Sequence, residues 1–531
     1  MKRMIALILI LCLTLSGCEL VDFEGYFSRL SQYLTHSGTT HFSDMEYTRP
    51  DMTALNQALL DVCEITESEK NIRRLMDGVY KFYDAYNHFY TAYALSYIHY
   101  SADLTDAYWE AEYNYCSANS TEVDAGLDEL YYALADSPLR QELESDDYFG
   151  ENFFDDYDGE SIWDETFTTL MEQETELINR YYTLSEEMLD ANDTDSYNAI
   201  QSEMETLFVS LAQNRQAQAE YLEYDSYMDF AYDYYYSRDY TPSQVVPYLT
   251  RIRQELVPLY RQIDRWEYGG SYCREEEMLR YVKSAAYAMG GTVAEAFELL
   301  ETSGLYDISH SETKYDTSFE IYLADYNVPF VFVNPPTDQS AKLTFAHEFG
   351  HFANDYACYG SSASVDVAEF FSQGFEYLSL CYTDDAQSLA QMKMMDCLCI
   401  FVEQSAYAAF EHQVYGLPEK SLSEESIRDL FQKICEDYGF DAWGITGGDY
   451  VTVPHFFTNP LYVISYVVSN DAAFQLYQLE QAEPGAGLKL YEEQLSSNET
   501  AFLAFTQSAG LTSPFAENRI QSIRETLEEV L

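Results

Sequence analysis

The sequence predicts a mainly α-helical protein that contains one small β-hairpin. Apolar residues recur at helical spacing from residue 52 onward, as Leu55, Leu59 and Cys63 illustrate. Only residues 318–334 change to the alternation that is typical of strands. The 531 residues, of which 47% are hydrophobic, are enough for one large helical body with a deep cleft.

The N-terminal segment predicts export. Two basic residues precede an apolar stretch at residues 4–15, which is too short to span a bilayer and is typical of a signal-peptide core. The sequence LSGC at residues 15–18 resembles a bacterial lipobox, in which cleavage leaves a cysteine that receives lipid. We therefore expect residues 1–17 to be a lipoprotein signal peptide. Cys18 would then attach the protein to the outer side of a bacterial membrane by lipid alone. Cleavage without lipidation is the alternative.

The remaining chain is predicted to be a tether followed by one body. Residues 18–50 lack a sustained period and are interpreted as the tether, and residues 51–531 as the helical body. Within that body we expect an N-terminal helical part at 51–200 and a second part at 201–531 that carries the functional site. One helix start is marked by TPSQ at residues 241–244, where a cap residue precedes a proline and a glutamine.

The strand-like segment predicts a hairpin. Residues 319–323 and 328–333 are the expected strands, and residues 325–327 the turn between them. Pro329 lacks an N–H and should confine its strand to an edge position or a bulge. An edge strand can pair with an extended peptide; a purely structural hairpin is the alternative.

The excess of acidic residues excludes nucleic acids as a class of partner. The chain has 91 acidic and 28 basic residues, for a formal net charge of -63. A surface this acidic is repelled by the phosphates of nucleic acids and by anionic lipid headgroups. We therefore expect no nucleic-acid binding and no electrostatic attraction to a membrane. The sequence does not indicate an oligomeric state.

The most informative motif is HEFGH at residues 347–351. His347 and His351 lie four residues apart, so on a helix they project from one face and can bind one metal ion. Glu348 then lies beside the open position of the metal, where it can take a proton from water. Glu369, in a second predicted helix, completes a three-ligand site that leaves room for that water, as catalytic zinc requires. The pattern predicts one Zn²⁺ ion; two structural buried histidines are the alternative.

A second carboxylate supports this prediction. Glu376 follows Glu369 by seven residues and shares its helix face. Such a carboxylate accepts the free N–H of a metal-binding imidazole and fixes its tautomer. We expect Glu376 to have this role; an exposed position on a solvated helix face is the alternative.

These motifs resemble the oligoendopeptidase F and thimet-oligopeptidase-like zinc metallopeptidases. The signature of that family is HExGH followed by a glutamate ligand in a nearby helix, and residues 345–351 and 367–372 are similar to its two pieces. A third similarity is a histidine and tyrosines downstream, here His455, Tyr462 and Tyr466. The chain departs from many relatives at Asn354, where they have a histidine that is not a metal ligand.

The resemblance implies a zinc metalloendopeptidase with a deep channel that admits short oligopeptides and excludes folded proteins. It implies that His455 and Tyr462 stabilise the negative charge that builds on the carbonyl oxygen, with Tyr466 behind them. The tyrosine register stays open, and Tyr466 is alternatively a packed aromatic residue. Two other functions remain: a carboxypeptidase-type zinc exopeptidase with a similar channel, and a non-catalytic surface lipoprotein that binds peptides or metal. Another divalent metal could replace zinc.

Overall fold

The computed structural model describes most of the predicted body. The described residues are 40–145, 148–157, 159, 162–262, 272–360, 364–383, 386–497 and 499–531. The predicted signal peptide, Cys18 and the first part of the tether lie outside them. Residues 40–50 pack on the body, where the ring of Phe42 lies 4.2 Å from that of Phe330. None of the described helices combines the length and apolar content needed to cross a membrane.

The fold is mainly α-helical with one small sheet, which confirms the predicted class. The α-helices, numbered in chain order, are α1 (Met52–Thr66), α2 (Ile72–Ala102), α3 (Ala107–Ala135), α4 (Arg140–Leu143), α5 (Glu165–Asp190), α6 (Thr194–Tyr221), α7 (Tyr227–Phe230), α8 (Pro242–Glu255), α9 (Val257–Tyr260), α10 (Glu275–Met289), α11 (Gly291–Ser303), α12 (Ala341–Cys358), α13 (Val365–Ser379), α14 (Ala386–Cys399), α15 (Ser405–Tyr415), α16 (Glu424–Tyr438), α17 (His455–Thr458), α18 (Ile464–Ala482), α19 (Ala486–Gln494), α20 (Phe502–Ser508) and α21 (Arg519–Val530). Two π-helices, Ala231–Tyr235 and Ile400–Gln404, continue α7 and α14.

The predicted hairpin is present and belongs to a mixed three-stranded sheet. Its strands are β1 (Tyr306–Asp307), β2 (Ser318–Leu323) and β3 (Val328–Val333), in the order β1-β3-β2. β2 and β3 are antiparallel, from the pair Ser318–Val333 to the pair Leu323–Val328.

The prediction that Pro329 lies in an edge strand or a bulge was wrong, because β3 is the central strand. The reason is that β1 is very short and pairs only with Val331 and Phe332. β3 therefore has no strand partner on this side at Pro329, and the missing N–H removes no ladder hydrogen bond there.

The predicted helix start at residue 241 is confirmed. The Thr241 N–H donates to Oε1 of Gln244 at 2.9 Å, and Pro242 is the first residue of α8. Val245 and Ile252 face the core on this helix and are fully buried. The cap thus sets the point where α8 enters the core.

The core consists of two clusters of buried side chains. The smaller one is built mainly by α1, α2 and α3, from Leu55 to Phe154. The larger one extends from Ala94 to Leu527 and surrounds α12 and α13. α13 packs against α12 on one side and against α18 on another. The predicted boundary at residue 200 stays a prediction.

The contact between α12 and α13 depends on Gly350. A Cβ atom at this position would lie 2.5 Å from Cα of Ser372 and 2.6 Å from the carbonyl oxygen of Phe371. Both atoms belong to the backbone of α13, so no side-chain rotation relieves the clash. The absence of a side chain at Gly350 therefore sets the distance between the two helices.

We expect Gly350→Ala to destabilise the protein by about 2–3 kcal/mol, because the helices must separate. Urea unfolding monitored by circular dichroism measures the change. The control is Gly126→Ala in α3, where the new methyl group meets only the flexible Leu59 side chain, at 3.0 Å. There the better helix propensity of alanine should leave stability nearly unchanged. Equal unfolding midpoints for the two variants would contradict the expectation.

Candidate active site

The three predicted metal ligands meet between α12 and α13. His347 and His351 lie one turn apart on α12, with ring centroids 5.1 Å apart, and both side chains are buried. Glu369 on α13 is fully buried, and its Oε2 lies 3.5 Å from Nε2 of His347. One ligand atom from each of the three residues lies within 4.8 Å of the other two. Two helices thus bring together three donors of the types that bind zinc.

The donor atoms fit a divalent cation. Nε2 of His347 and Nε2 of His351 are buried and have no hydrogen-bond partner among the described residues. Leaving buried polar atoms unpaired costs free energy, and a bound cation removes that cost. Two imidazole nitrogens and one carboxylate oxygen form the ligand set of catalytic zinc sites that keep one position open.

The structure places Glu376 where the sequence predicts it. Its Oε1 lies 2.8 Å from Nδ1 of His347, so an N–H at Nδ1 leaves Nε2 free as a ligand. Its Oε2 lies 2.8 Å from Nζ of Lys393 on α14, and that lysine also contacts Asp396 at 2.9 Å. The Lys393 side chain is fully buried, so these charges are paired inside the protein.

Negative charge dominates the electrostatic field around His347. Burial lowers the pKa of His347, but the hydrogen bond to Glu376 and the charge of Glu369 outweigh it and raise the pKa to about 9. Burial raises the pKa of Glu376, yet Lys393 and His347 hold it below its usual value. A field that favours a protonated imidazole also favours a metal cation at the same position.

Glu369 is oriented by two hydroxyl groups. Ser372 Oγ donates to Oε2 of Glu369 at 3.1 Å, and the Tyr462 hydroxyl donates to Oε1 at 3.3 Å. Burial raises the pKa of Glu369. The two donors stabilise the carboxylate that a metal requires.

The general-base candidate Glu348 lies on α12 between the two histidines and is almost completely buried. Two more carboxyl groups interact in this region, Glu320 of β2 and Asp355 of α12. Burial and the charges of Asp355 and Glu348 raise the pKa of Glu320 well above its usual value. Burial also raises the pKa of Asp355 to about 7. The sheet thus brings the Glu320 carboxyl group close to those of Asp355 and Glu348.

His455, Tyr462 and Tyr466 form an aromatic group at the site. The ring of His455 lies 5.8 Å from that of Tyr462 and 5.9 Å from that of Tyr466. Burial lowers the pKa of His455 to about 4, so it is neutral at physiological pH and carries one N–H. Tyr462 reaches Glu369, whereas Tyr466 packs against Tyr462 at 5.1 Å between ring centroids. The Tyr462 hydroxyl thus contacts a predicted ligand.

Sequence reasoning missed Lys393, Glu320 and Asp355. A signal for Lys393 exists, because it stands with Asp396 at i, i+3 in the otherwise apolar run MKMMDCLCIF at 392–401. Two opposite charges on one face of an apolar helix indicate a buried ion pair. Glu320 and Asp355 have no comparable signal, since their proximity depends on the packing of the sheet on α12.

Comparisons with known proteins agree with this architecture. Residues 42–160 match the family described as Peptidase M3 N-terminal domain. No curated protein sequence is significantly similar to the chain.

Solved structures resemble the whole body. A structure assigned as oligoendopeptidase F has a TM-score of 0.79 at 18% identity, over 92% of this chain and 98% of that one. PZ peptidase A with an inhibitor has a TM-score of 0.77 at 18% identity, over the same shares of the two chains. A Bacillus anthracis protein assigned as oligoendopeptidase F has a TM-score of 0.75 at 20% identity, over 93% of this chain and 98% of that one. The chain therefore matches the Peptidase M3 N-terminal domain over residues 42–160 and shares its fold with the oligoendopeptidase F structures.

Proposed function

We propose that the protein is a zinc-dependent metalloendopeptidase that hydrolyses short oligopeptides. The observation that carries this proposal is the placement of Glu348 between two buried histidines whose Nε2 atoms have no hydrogen-bond partner among the described residues. A protein that only captured metal or peptide would have no need for a buried carboxylate at this position. The likeness of the whole body to oligoendopeptidase F structures supports short peptides as the substrate class.

His347, His351 and Glu369 would hold the zinc ion, which supplies a polarised water and a Lewis acid when bound. Glu348 takes a proton from the attacking water and delivers it to the leaving amine. The N–H of neutral His455 donates to the carbonyl oxygen as its negative charge builds, and the Tyr462 hydroxyl gives up its bond to Glu369 to donate to the same oxygen. Glu376 keeps His347 in the tautomer that leaves Nε2 available. Apart from the partly exposed His455, each role belongs to a buried group, so bulk water competes little with it.

The deciding experiment uses short peptides that are blocked at both ends. We expect the purified protein to cleave them at internal bonds, to lose this activity after treatment with a chelator, and to recover it with Zn²⁺. Mass spectrometry of the products identifies the bonds that are cut. Trimming only of unblocked ends would support the exopeptidase instead, and the absence of any chelator-sensitive cleavage would support a binding protein.

Glu348→Gln completes this experiment. The variant should retain bound zinc and lose about 10²–10⁴-fold in kcat, because the amide accepts no proton. Its control is Glu298→Gln, an exposed position on α11 that should behave as the wild type. Unchanged cleavage by a zinc-loaded Glu348→Gln protein would refute the mechanism.

The contact between Glu376 and His347 yields a prediction on metal affinity. Glu376→Gln keeps an acceptor oxygen but removes the charge that both His347 and Lys393 face. We expect zinc affinity to fall about 10–100-fold. Competition with a chromophoric chelator measures the change, with Glu298→Gln as the control of equal charge. An affinity equal to that of the control would show that Glu376 does not act on the metal site.

We further propose that the protein acts outside the cytoplasm, attached to a bacterial membrane through a lipid on Cys18. The support is the LSGC sequence at residues 15–18 behind an apolar segment. In a bacterial host, the wild type should incorporate radiolabelled palmitate and sediment with membranes. Cys18→Ala should do neither, because it has no thiol to modify. Equal labelling of both proteins would disprove the lipid anchor.

A further inference from the structure

The turn between α17 and α18 holds Tyr462 in place and contains a strained residue. Leu461 has a φ of 64°, in the left-handed region that branched side chains rarely adopt. It is also almost completely buried. Such a conformation is strained and persists only where the surroundings enforce it.

Three side chains from distant parts of the chain enforce it. The Leu461 N–H donates to Oε1 of Glu411 on α15 at 2.7 Å. Nη2 of Arg238 donates to the Leu461 carbonyl oxygen at 3.0 Å. The hydroxyl of Tyr236 donates to the Pro460 carbonyl oxygen at 2.7 Å. The backbone of the strained residue is therefore held at both its N–H and its carbonyl group.

Glu411 is a buried ionisable residue whose hydrogen bonding is incomplete among the described residues. The residue is fully buried, and its Oε2 has no hydrogen-bond partner among the described residues. Burying a carboxyl group is costly unless its hydrogen bonds compensate for it. The hydrogen bond that the structure gives Glu411 is the one from Leu461, the residue directly before Tyr462.

We propose that Glu411 is a positioning residue that holds the backbone of Leu461 so that the Tyr462 hydroxyl, which donates to Glu369 in the structure, is in place to donate to the carbonyl oxygen of the substrate. This inference rests on the proposed function, in which Tyr462 is a donor in the transition state. Among the described residues, no hydrogen bond or ion pair joins Glu411 to the predicted metal ligands. Glu411 acts through one backbone hydrogen bond.

Two substitutions separate this role from general packing. Burial raises the pKa of Glu411 to about 8, so the group is largely protonated at neutral pH and glutamine is a close replacement. Glu411→Gln keeps an acceptor for the Leu461 N–H and should retain kcat within about threefold of the wild type. Glu411→Leu has a similar volume without an acceptor and should lose about 10–10²-fold in kcat, with KM within about twofold. Glu411→Met replaces it if the leucine variant does not fold.

A double-mutant cycle with Tyr462→Phe identifies the path of the effect. If Glu411 acts through the tyrosine hydroxyl, Glu411→Leu should change kcat by less than about twofold once that hydroxyl is absent. Loss of the same factor in both backgrounds would overturn the proposal, and so would a glutamine variant as slow as the leucine variant. Zinc content is measured for each variant to exclude loss of the metal.

A readout without catalysis separates this inference from the proposed function. A single 3-fluorotyrosine at position 462, introduced through an amber codon, gives one ¹⁹F signal. We expect the same sharp resonance with Glu411 and with Glu411→Gln, and a shifted or broadened one with Glu411→Leu. Identical spectra for all three proteins would overturn the positioning role. If the labelled proteins show the expected difference but the wild type cleaves no peptide, the proposed function fails and the positioning role stands.

Discussion

The close approach of α12 and α13 at Gly350 is the constraint on which the rest of the site depends. All three predicted ligands lie on these two helices, and a side chain at Gly350 would collide with the backbone of α13. The two predicted histidine ligands and the residue that sets the helix spacing are therefore neighbours in the same motif. A core packed at this density transmits small changes of spacing, so the distance from His351 to Glu369 is a property of the interface.

The electrostatics follow from that packing. Burying several carboxyl groups in one place is unfavourable unless cations compensate for them. Lys393 supplies one cation from α14, where it contacts both Glu376 and Asp396. A divalent metal between His347, His351 and Glu369 would supply the other. The protein is strongly acidic over the whole chain, and within the site the same excess of negative charge creates the affinity for a cation.

The sequence predicts those parts of the structure that depend on local spacing. The fold class, both longer strands and the cap at Thr241 follow from periodicity and turn chemistry over fewer than ten residues. The histidine pair and Glu376 could be predicted because a helix fixes which residues share a face. Pro329 shows the limit: its place in the sheet depended on the length of β1, which pairs with only two residues of β3 and has no clear sequence signal.

The contacts that sequence reasoning could not reach join residues far apart in the chain. Glu411 meets Leu461 across 50 positions, and Arg215 meets the carbonyl group of Phe456 across 241. The spacing of residues along the sequence does not predict such pairs, since they form only when several helices have packed. The number of possible pairings is also large, because each polar residue can form a hydrogen bond with many others.

The predicted site has two halves, the metal ligands and the transition-state donors. Different interactions hold each half in place. The ligand half is built on helices whose apolar packing fixes the geometry. The donor half is held by buried charged residues that bind backbone groups: Arg215, paired with Glu174 at 2.6 Å, donates to the carbonyl groups of α17 that follow His455. Burial of Phe456 and Phe457 places the four-residue α17 in the core, but such non-directional packing does not by itself fix the position of its backbone. A buried ion bonded to the backbone does define it, because moving the segment would leave that charge without its partners. This explains why a candidate site of three predicted ligands, one predicted base and two predicted donors is surrounded by buried ions that hold its backbone in place.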